Sequence, residues 1–335
     1  MIDRDEDLIR ALSEAGESYL NGAEIARRLG CTRSAVWKKM KRLRGDGYPI
    51  EAVPNRGYRL ASEKDRFLAE FERSFSGEEY NNGGFTVHVA EVAESTNRSA
   101  REAAEKGAAD REVFVALFQS GGKGRRGRTW ISAPGEGLCF SVLIRPDISS
   151  ELTGMLSLMF GLCVFCAIGE IYSRIKIGIK WPNDIISLMN GRKLCGILAE
   201  TSFEDNRLSF AVIGCGVNVS QVSFPEPIRE TATSLIAEGV PDPSSPVLLA
   251  SILRHFSQMY ASFRTDPTGF LAEYRKNCVT LGREVRVVGA EDRIGNALDI
   301  NDRGELIVRY QDGSVAAVSA GEVSVRGVAG YVSFK

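Results

Sequence analysis

Residues 119–130, QSGGKGRRGRTW, constrain this chain more than any other stretch. They place Lys123, Arg125, Arg126 and Arg128 among Gly121, Gly122, Gly124 and Gly127, between two apolar runs at 113–118 and 138–144. Apolar runs of that length read as strands, so the cationic segment is expected to be a loop held at both ends. Glycine removes the Cβ and lets amides approach a ligand, while clustered cations concentrate positive field. A phosphate, a carboxylate or a nucleic-acid backbone is the natural counterpart; a solvated hairpin loop is the bland alternative. No GK[ST] follows at the required spacing and the early glycines precede no Rossmann helix, which leaves phosphate binding on another fold.

The 42 basic and 43 acidic residues give a formal charge of −1, so any affinity for nucleic acid must come from a local patch. At 335 residues, two or three domains are expected. The seven cysteines sit mostly in apolar contexts, as reduced thiols of a cytoplasmic protein do. Cys163 and Cys166 form a lone CxxC pair inside an apolar run, which favours packing over metal or redox chemistry. His88 and His255 are the only histidines, leaving little for a zinc site, and no protein metal-ligand set is expected. The start, MIDRDEDLIR, lacks a signal-peptide core. Residues 155–168 read as a buried helix too short and too interrupted for a membrane span, so no membrane partner is expected.

Residues 7–15 and 23–29 read as short helices, the second capped by Asn21. Gly30 and Cys31 turn the chain into a third helix, capped by Thr32 or Ser34 and running to about Arg44, with Val36, Met40 and Leu43 inward. This is the pattern of a helix-turn-helix module. The third helix carries Arg33, Lys38, Lys39, Lys41, Arg42 and Arg44 with no acidic residue from 32 to 44. The first sixty residues hold 12 basic and 9 acidic side chains, a net of +3, so almost all the excess sits on this helix. One-signed charge beside a turn suits the DNA backbone and major groove. Residues 48–60, YPIEAVPNRGYRL, give two extended runs around Pro54, Asn55, Arg56 and Gly57, a wing whose tip offers Arg56 to a phosphate or the minor groove. The DNA-binding candidates are Thr32, Arg33, Ser34, Lys38, Lys39, Arg42 and Arg56; a peptide-binding or purely structural winged helix is the alternative.

Residues 61–82 read as a partly helical connector. Strands are expected at 85–92, 176–180, 185–188, 193–201 and 208–214, with an Asn-Gly turn at 190–191 and a break at the WPND corner, residues 181–184. Helices are expected at 98–106, capped by Ser95 or Thr96, and at 152–172, 233–238, 246–263 and 270–277. Short strands at 285–288, 291–300, 306–310 and 315–319 suggest a small barrel. The fold class is therefore α+β: an amino-terminal winged helix-turn-helix domain (1–62), a connector (63–84), a central α/β domain with a mixed sheet (85–278) and a carboxy-terminal small β-barrel (279–335).

Four motifs occur in one order: GKGRRGRTW at 122–130, KWPND at 180–184, RKLCGIL at 192–198 and GCGVN at 214–218. In that order they resemble the biotin protein ligases. The first sixty residues resemble the winged helix of the bifunctional subclass, the biotin operon repressors, and the resemblance extends through an SH3-like barrel ending at GEVSVR, 321–326. It implies that biotin and ATP, with Mg²⁺, give biotinyl-5'-adenylate and pyrophosphate. The acyl group then passes to a lysine of a biotin carboxyl carrier protein. It implies further that the adenylate promotes a homodimer that binds operator DNA.

Carried onto this chain, the resemblance makes Lys193, Arg125, Lys180 and Asp184 the catalytic candidates. Lys193 takes the carboxylate and α-phosphate, Arg125 retains biotin and the adenylate, and Asp184 orients Lys193 or a metal-bound water. Biotin-binding candidates are Ser95, Thr96, Asn97, Gln119, Gly122, Lys123, Arg125, Lys193 and Gly196. Nucleotide-binding candidates are Arg125, Arg126, Arg128, Trp130, Lys180, Asn183 and Asn218. Lys123 departs from the family's usual arginine, keeping charge but losing a bidentate fork; Cys195 departs from a usual small residue. A ligand-sensing regulator without catalysis and a lipoyl- or octanoyl-transferring relative are the competing classes.

Overall fold

The computed structural model describes residues 4–16, 18–45, 48, 50–75, 84–205, 207–288, 292–320 and 324–327. Parts of the expected wing, connector, barrel strand and terminal motif (residues 49, 76–83, 291 and 321–323) lie outside the described residues. The chain forms two compact units, Met1–Glu70 and Phe71–Lys335.

In the first unit, helices α1 (Arg4–Glu14), α2 (Gly22–Arg28) and α3 (Arg33–Gly45) close on Leu8, Leu12, Ile25, Val36, Met40 and Leu43. Asn21 caps α2 by accepting from the Glu24 amide at 2.8 Å. Thr32, not Ser34, caps α3, its hydroxyl accepting from the Ala35 amide at 3.2 Å. Strands β1 (Ile50–Val53) and β2 (Gly57–Leu60) form the antiparallel wing. Its turn is closed by Arg56 N donating to Val53 O at 3.1 Å, with Asn55 at φ 64° beside Pro54. Leu20 and Tyr58 exchange backbone hydrogen bonds of 2.8 and 2.9 Å, bringing the wing so close that a Cβ on Gly57 would lie 2.2 Å from Leu20 O. Helix α4 (Glu63–Ser74) contains the boundary between the units.

The second unit is built on a seven-stranded sheet in the order β3-β4-β5-β9-β8-β7-β6. Its strands are β3 (Thr86–Ala93), β4 (Glu112–Gln119), β5 (Gly137–Ile144), β6 (Ile177–Lys180), β7 (Asp184–Ser187), β8 (Lys193–Glu204) and β9 (Arg207–Asn218). Only β3 and β4 run parallel, joined by helix α5 (Thr96–Glu105); every other pairing is antiparallel. Alternate residues of β5 face opposite layers, as strand geometry requires. Leu143 meets Ala100 and Ala104 of α5, while the Phe140 ring lies tilted, 6.0 Å between centroids, against Phe160 of α6 (Thr153–Ile171). Helix α7 (Ser245–Phe263) packs on α6 through Phe256, 5.3 Å from Phe160.

The run at 155–168 reads from sequence as too short for a membrane span, but it sits within the helical stretch Ser150–Ile171, which by length and composition alone is apolar enough to cross one. In this fold 11 residues of α6 are buried, and Ile197 of β8 reaches its Gly161 face. The helix expected at 233–238 is instead a single turn. Glu238 N bonds Ser234 O at 3.0 Å, Ser234 Oγ caps Ala237 N, and Gly239 at φ 90° ends it before helix can propagate.

Helix α8 (Leu271–Asn277) leads to five antiparallel strands in the order β13-β12-β11-β10-β14. These are β10 (Glu284–Val288), β11 (Arg293–Ile300), β12 (Leu306–Tyr310), β13 (Val315–Val318) and β14 (Ser324–Gly327). The last was not expected as a strand. This carboxy-terminal sheet holds the WPND corner: Thr280 Oγ1 accepts from Trp181 N, and Gly304 O accepts from Trp181 Nε1, both at 3.0 Å.

Candidate functional site

Strand register assembles the site. One residue from each strand falls in a single row across the large sheet: Ala90, Ala116, Cys139, Gly216, Gly196, Asp184 and Lys180. Small residues in the middle of the row make a bare floor, and Trp130 lies on it. A Cβ on Gly216 would come 2.4 Å from Trp130 Cε2, and one on Gly196 would come 3.2 Å from Trp130 Cζ3. The charged end of the row is the β6–β7 hairpin, where Lys180 and Asp184 are register partners on either side of the WPN corner.

Lys193 opens β8 and folds back over Gly196. Its Nζ lies 2.7 Å from Asp184 Oδ1, an ion pair off the line of a hydrogen bond, and 5.7 Å from the Trp130 ring centroid. The segment after β9 walls this end: Lys193 N bonds Thr231 O at 2.7 Å, Thr233 N bonds Lys193 O at 2.9 Å, and Asn218 Nδ2 donates to Thr233 O at 2.9 Å.

The cationic loop is itself a small hairpin. Gly124 N bonds Arg128 O at 2.7 Å and Trp130 N bonds Gly122 O at 2.9 Å, around a tight turn over Arg125–Gly127 in which Arg126 and Gly127 take φ values of 57° and 71°. Arg125 donates from Nη1 to Asn183 Oδ1 at 3.0 Å and from Nη2 to the Ala320 carbonyl; Arg126 Nη1 reaches Val288 O at 3.0 Å. Burial pulls the Arg125 pKa below its ordinary value, opposed by Asp184 and reinforced by Arg126 and Arg128.

A cavity of about 220 Å³ is lined by Arg125, Arg126, Arg128, Trp130, Lys180, Asn183, Asp184, Lys193 and Asn218. A smaller chamber of about 50 Å³ is lined by Ser95, Thr96, Asn97, Gln119, Lys123 and Gly196, and shares Arg125, Trp130, Asn183 and Lys193 with the first. The two groups expected from sequence are thus brought to adjoining spaces. Gly122 is the exception: it lines neither, and its carbonyl is engaged by Trp130 N.

Neither Ser95 nor Thr96 caps α5 through its side chain. Gln119 Oε1 accepts instead from Thr96 N at 2.8 Å and from Thr96 Oγ1 at 3.2 Å. Ser141 Oγ lies 2.7 Å from Thr96 Oγ1 and 2.6 Å from Asn97 Oδ1, and Asn97 Nδ2 donates to Glu200 at 2.6 Å. Sequence reasoning missed Ser141, although it is the one polar side chain in the run LCFSVLI. It also missed Ile228, Thr231 and Ala232 on the cavity wall, which no local signal announces.

In the first unit Arg33, Ser34, Lys38 and Arg42 are exposed on α3, Lys39 is half-buried, and the Thr32 hydroxyl is engaged as the cap. Arg56 is exposed at the wing turn, its guanidinium 4.3 Å from the Tyr19 ring centroid.

The Biotin/lipoate A/B protein ligase family model matches residues 89–218, an HTH domain model matches 4–59 and the Biotin protein ligase C terminal domain matches 280–326. With a glycine-floored sheet, a cationic loop and a helix-turn-helix module in one polypeptide, the chain belongs to the biotin protein ligase family, in its bifunctional ligase/repressor form. It is 35% identical over 319 residues to the bifunctional ligase/repressor BirA of Bacillus spizizenii, covering 94% of this chain and 97% of that protein. BirA of Escherichia coli is 27% identical over 318 residues, covering 94% of this chain and 95% of its own length. Among solved structures, the biotin protein ligase from Aquifex aeolicus in complex with biotin and ATP is 28% identical with a TM-score of 0.63, over 72% of this chain and 99% of that one.

Proposed function

We infer that this chain is an ATP-dependent biotin protein ligase that also represses transcription. The observation that carries the enzymatic half is the meeting of Lys193, Arg125, Lys180 and Asp184 around one cavity that adjoins a polar chamber. The chamber suits the biotin head group, with Ser95, Thr96, Asn97 and Gln119 as hydrogen-bonding groups and Gly196 and Lys123 at its edge. The larger cavity suits the nucleotide, with Arg126, Arg128, Lys180, Asn183, Asn218 and Trp130 around it.

A carboxylate oxygen attacks the α-phosphorus of ATP, pyrophosphate leaves, and biotinyl-5'-adenylate remains. Two anions must approach, and fixed cations in a partly dehydrated site stabilise the charge that accumulates. Lys193, common to both spaces, stands where the carboxylate and α-phosphate meet, with Asp184 fixing its ammonium. The neutral amine of a carrier-protein lysine then attacks the acyl carbon, forming an amide and releasing AMP and a proton. Arg125 and Trp130 retain and shield the mixed anhydride until that attack.

Among the described residues no cluster of three metal-ligating side chains occurs. Asp184 is the one carboxylate among the described residues that line the larger cavity, a donor set that fits Mg²⁺ carried chiefly by the nucleotide's phosphates. The ion supplies charge neutralisation on the pyrophosphate leaving group. Seven free thiols, with the Cys195 and Cys215 sulfurs 3.6 Å apart and not disulfide-linked, support a cytoplasmic setting.

For repression, the basic α3 and the wing supply the DNA-binding surface, and adenylate-promoted homodimerisation doubles it and so raises affinity for a two-part operator. Incubation with ATP, Mg²⁺, labelled biotin or lipoate and their carrier domains tests the enzymatic half. Transfer of biotin alone is expected; transfer of lipoate or of neither overturns it. Liganded protein that ligates biotin yet never binds its own upstream DNA overturns the repressor half.

A further inference from the structure

Trp37 stands on the basic helix α3 with its side chain in the open, 55% exposed. It shares one helical face with Arg33, Ser34, Lys41 and Arg44, at three, four and seven positions' distance, while buried Val36 and Leu43 lie on the other side and Met40 borders it. Lys41 Nζ lies 5.5 Å from the indole centroid. Beside the ring an open groove of about 460 Å³ runs between α3 and the wing, bounded by Met40, Arg44, Ala52 and Tyr58. An apolar surface is thus set inside a rim of one sign, since no acidic residue occurs from 32 to 44. That rim selects a polyanion and rejects an apolar peptide of neutral or basic character. On the major-groove edge of DNA the apolar group is the C5-methyl of thymine, flanked by phosphates at the spacing a helix face can span.

We propose that Trp37 is a specificity-determining residue of the DNA interface, its indole reading the C5-methyl group of a thymine while Lys41 and Arg44 hold the adjoining phosphates. The proposal rests on the repressor reading and names the base chemistry that this surface recognises. Cations on α3 give affinity without sequence; the indole adds a contact that only a thymine completes.

The test uses the full chain with biotin, ATP and Mg²⁺. A duplex is selected by the wild-type protein from a randomised library, and each of its thymines is replaced in turn by deoxyuracil, which removes only the methyl group. For the wild type, replacement at one thymine in each half-site is expected to weaken binding about three- to tenfold, the scale of one buried methyl contact. Trp37→Ala is expected to show no loss at that thymine, and Trp37→Phe to keep part of the dependence. A selected duplex on which the wild type tolerates deoxyuracil everywhere, or on which Trp37→Ala is as sensitive as the wild type, overturns the assignment and leaves the repressor reading standing. Failure to select any duplex, with no salt-dependent binding, overturns both.

Discussion

Lys193 and Asp184 face each other across two adjacent strands, Nζ to Oδ1 at 2.7 Å. Asp184 is also the register partner of Lys180 on one side and of Gly196 on the other, so one carboxylate stands between two cations at the edge of a glycine floor. The hydrogen-bonding pattern of the sheet fixes the backbone positions of Asp184, Lys180 and Gly196, and no flexible loop has to find them.

Replacing Lys193 by Met is therefore expected to lower biotin-dependent ATP–pyrophosphate exchange by about 10²–10³-fold, as loss of one preorganised charge-stabilising donor does. Asp184→Asn leaves the ammonium in place but unanchored and should cost less. Exchange at the wild-type rate in Lys193→Met would remove the electrostatic role.

Arg125 spans Asn183 and the Ala320 carbonyl, holding the cationic loop against its neighbours. Arg125→Ala should hasten release of preformed adenylate roughly ten- to a hundredfold, the scale of charged hydrogen bonds lost. Lys123→Arg should slow release by restoring a fork. Stopped-flow or filter measurement of adenylate dissociation decides both, and unchanged release in Lys123→Arg would count against a role for that position.

Two glycines that line the smaller chamber, Gly214 and Gly196, should respond differently to alanine. At Gly214 the added Cβ would lie 2.0 Å from Asn97 Oδ1, a buried atom bonded to Ser141. Gly214→Ala should cost about 1–3 kcal/mol and lower Tm. At Gly196 the nearest atom is Nζ of Lys193, 2.6 Å away at the end of a flexible chain that can swing aside. Gly196→Ala should keep the fold and lose adenylation. Equal thermal shifts in the two variants would contradict this contrast.

In the first unit, the Tyr19 hydroxyl donates to Glu51, which holds the carboxyl below its ordinary 4.5 against its own partial desolvation, with help from Arg59. That contribution is complete above the unfolded value and is lost as pH falls through the lowered one. Tyr19 is raised above its ordinary 10.0, chiefly by the same bond, so its share is complete below that value and lost as pH rises through the raised one. Thermal unfolding against pH should show a shallower acid limb for Glu51→Gln than for the wild type. Parallel acid limbs would mean that the link contributes nothing.

Much of this molecule was legible because its signals are local. Asn21, Thr32 and the Pro54-Asn55 pair announce cap and turn chemistry within a few residues, and the apolar run at 138–144 announces a strand. The pocket residues were legible through the order of four motifs. What escaped depended on contacts made at long range in sequence. Ser95 precedes a helix as a cap should, yet Gln119, from another strand, engages the neighbouring amide instead. Thr233 begins a short helical pattern, yet backbone bonds to Lys193 hold it as a wall. Trp181 announces in sequence only the break before Pro182, yet its indole is anchored at Gly304, 123 positions away.

The loop arginines meet the carboxy-terminal sheet through main-chain oxygens, Ala320 O for Arg125 and Val288 O for Arg126. Side-chain identity at those two positions is consequently free to drift, because every amino acid presents the same carbonyl. Spacing is not free: inserting or deleting a single residue near either position would carry the acceptor out of reach. Mutational tolerance here should follow chain length and ignore chemistry.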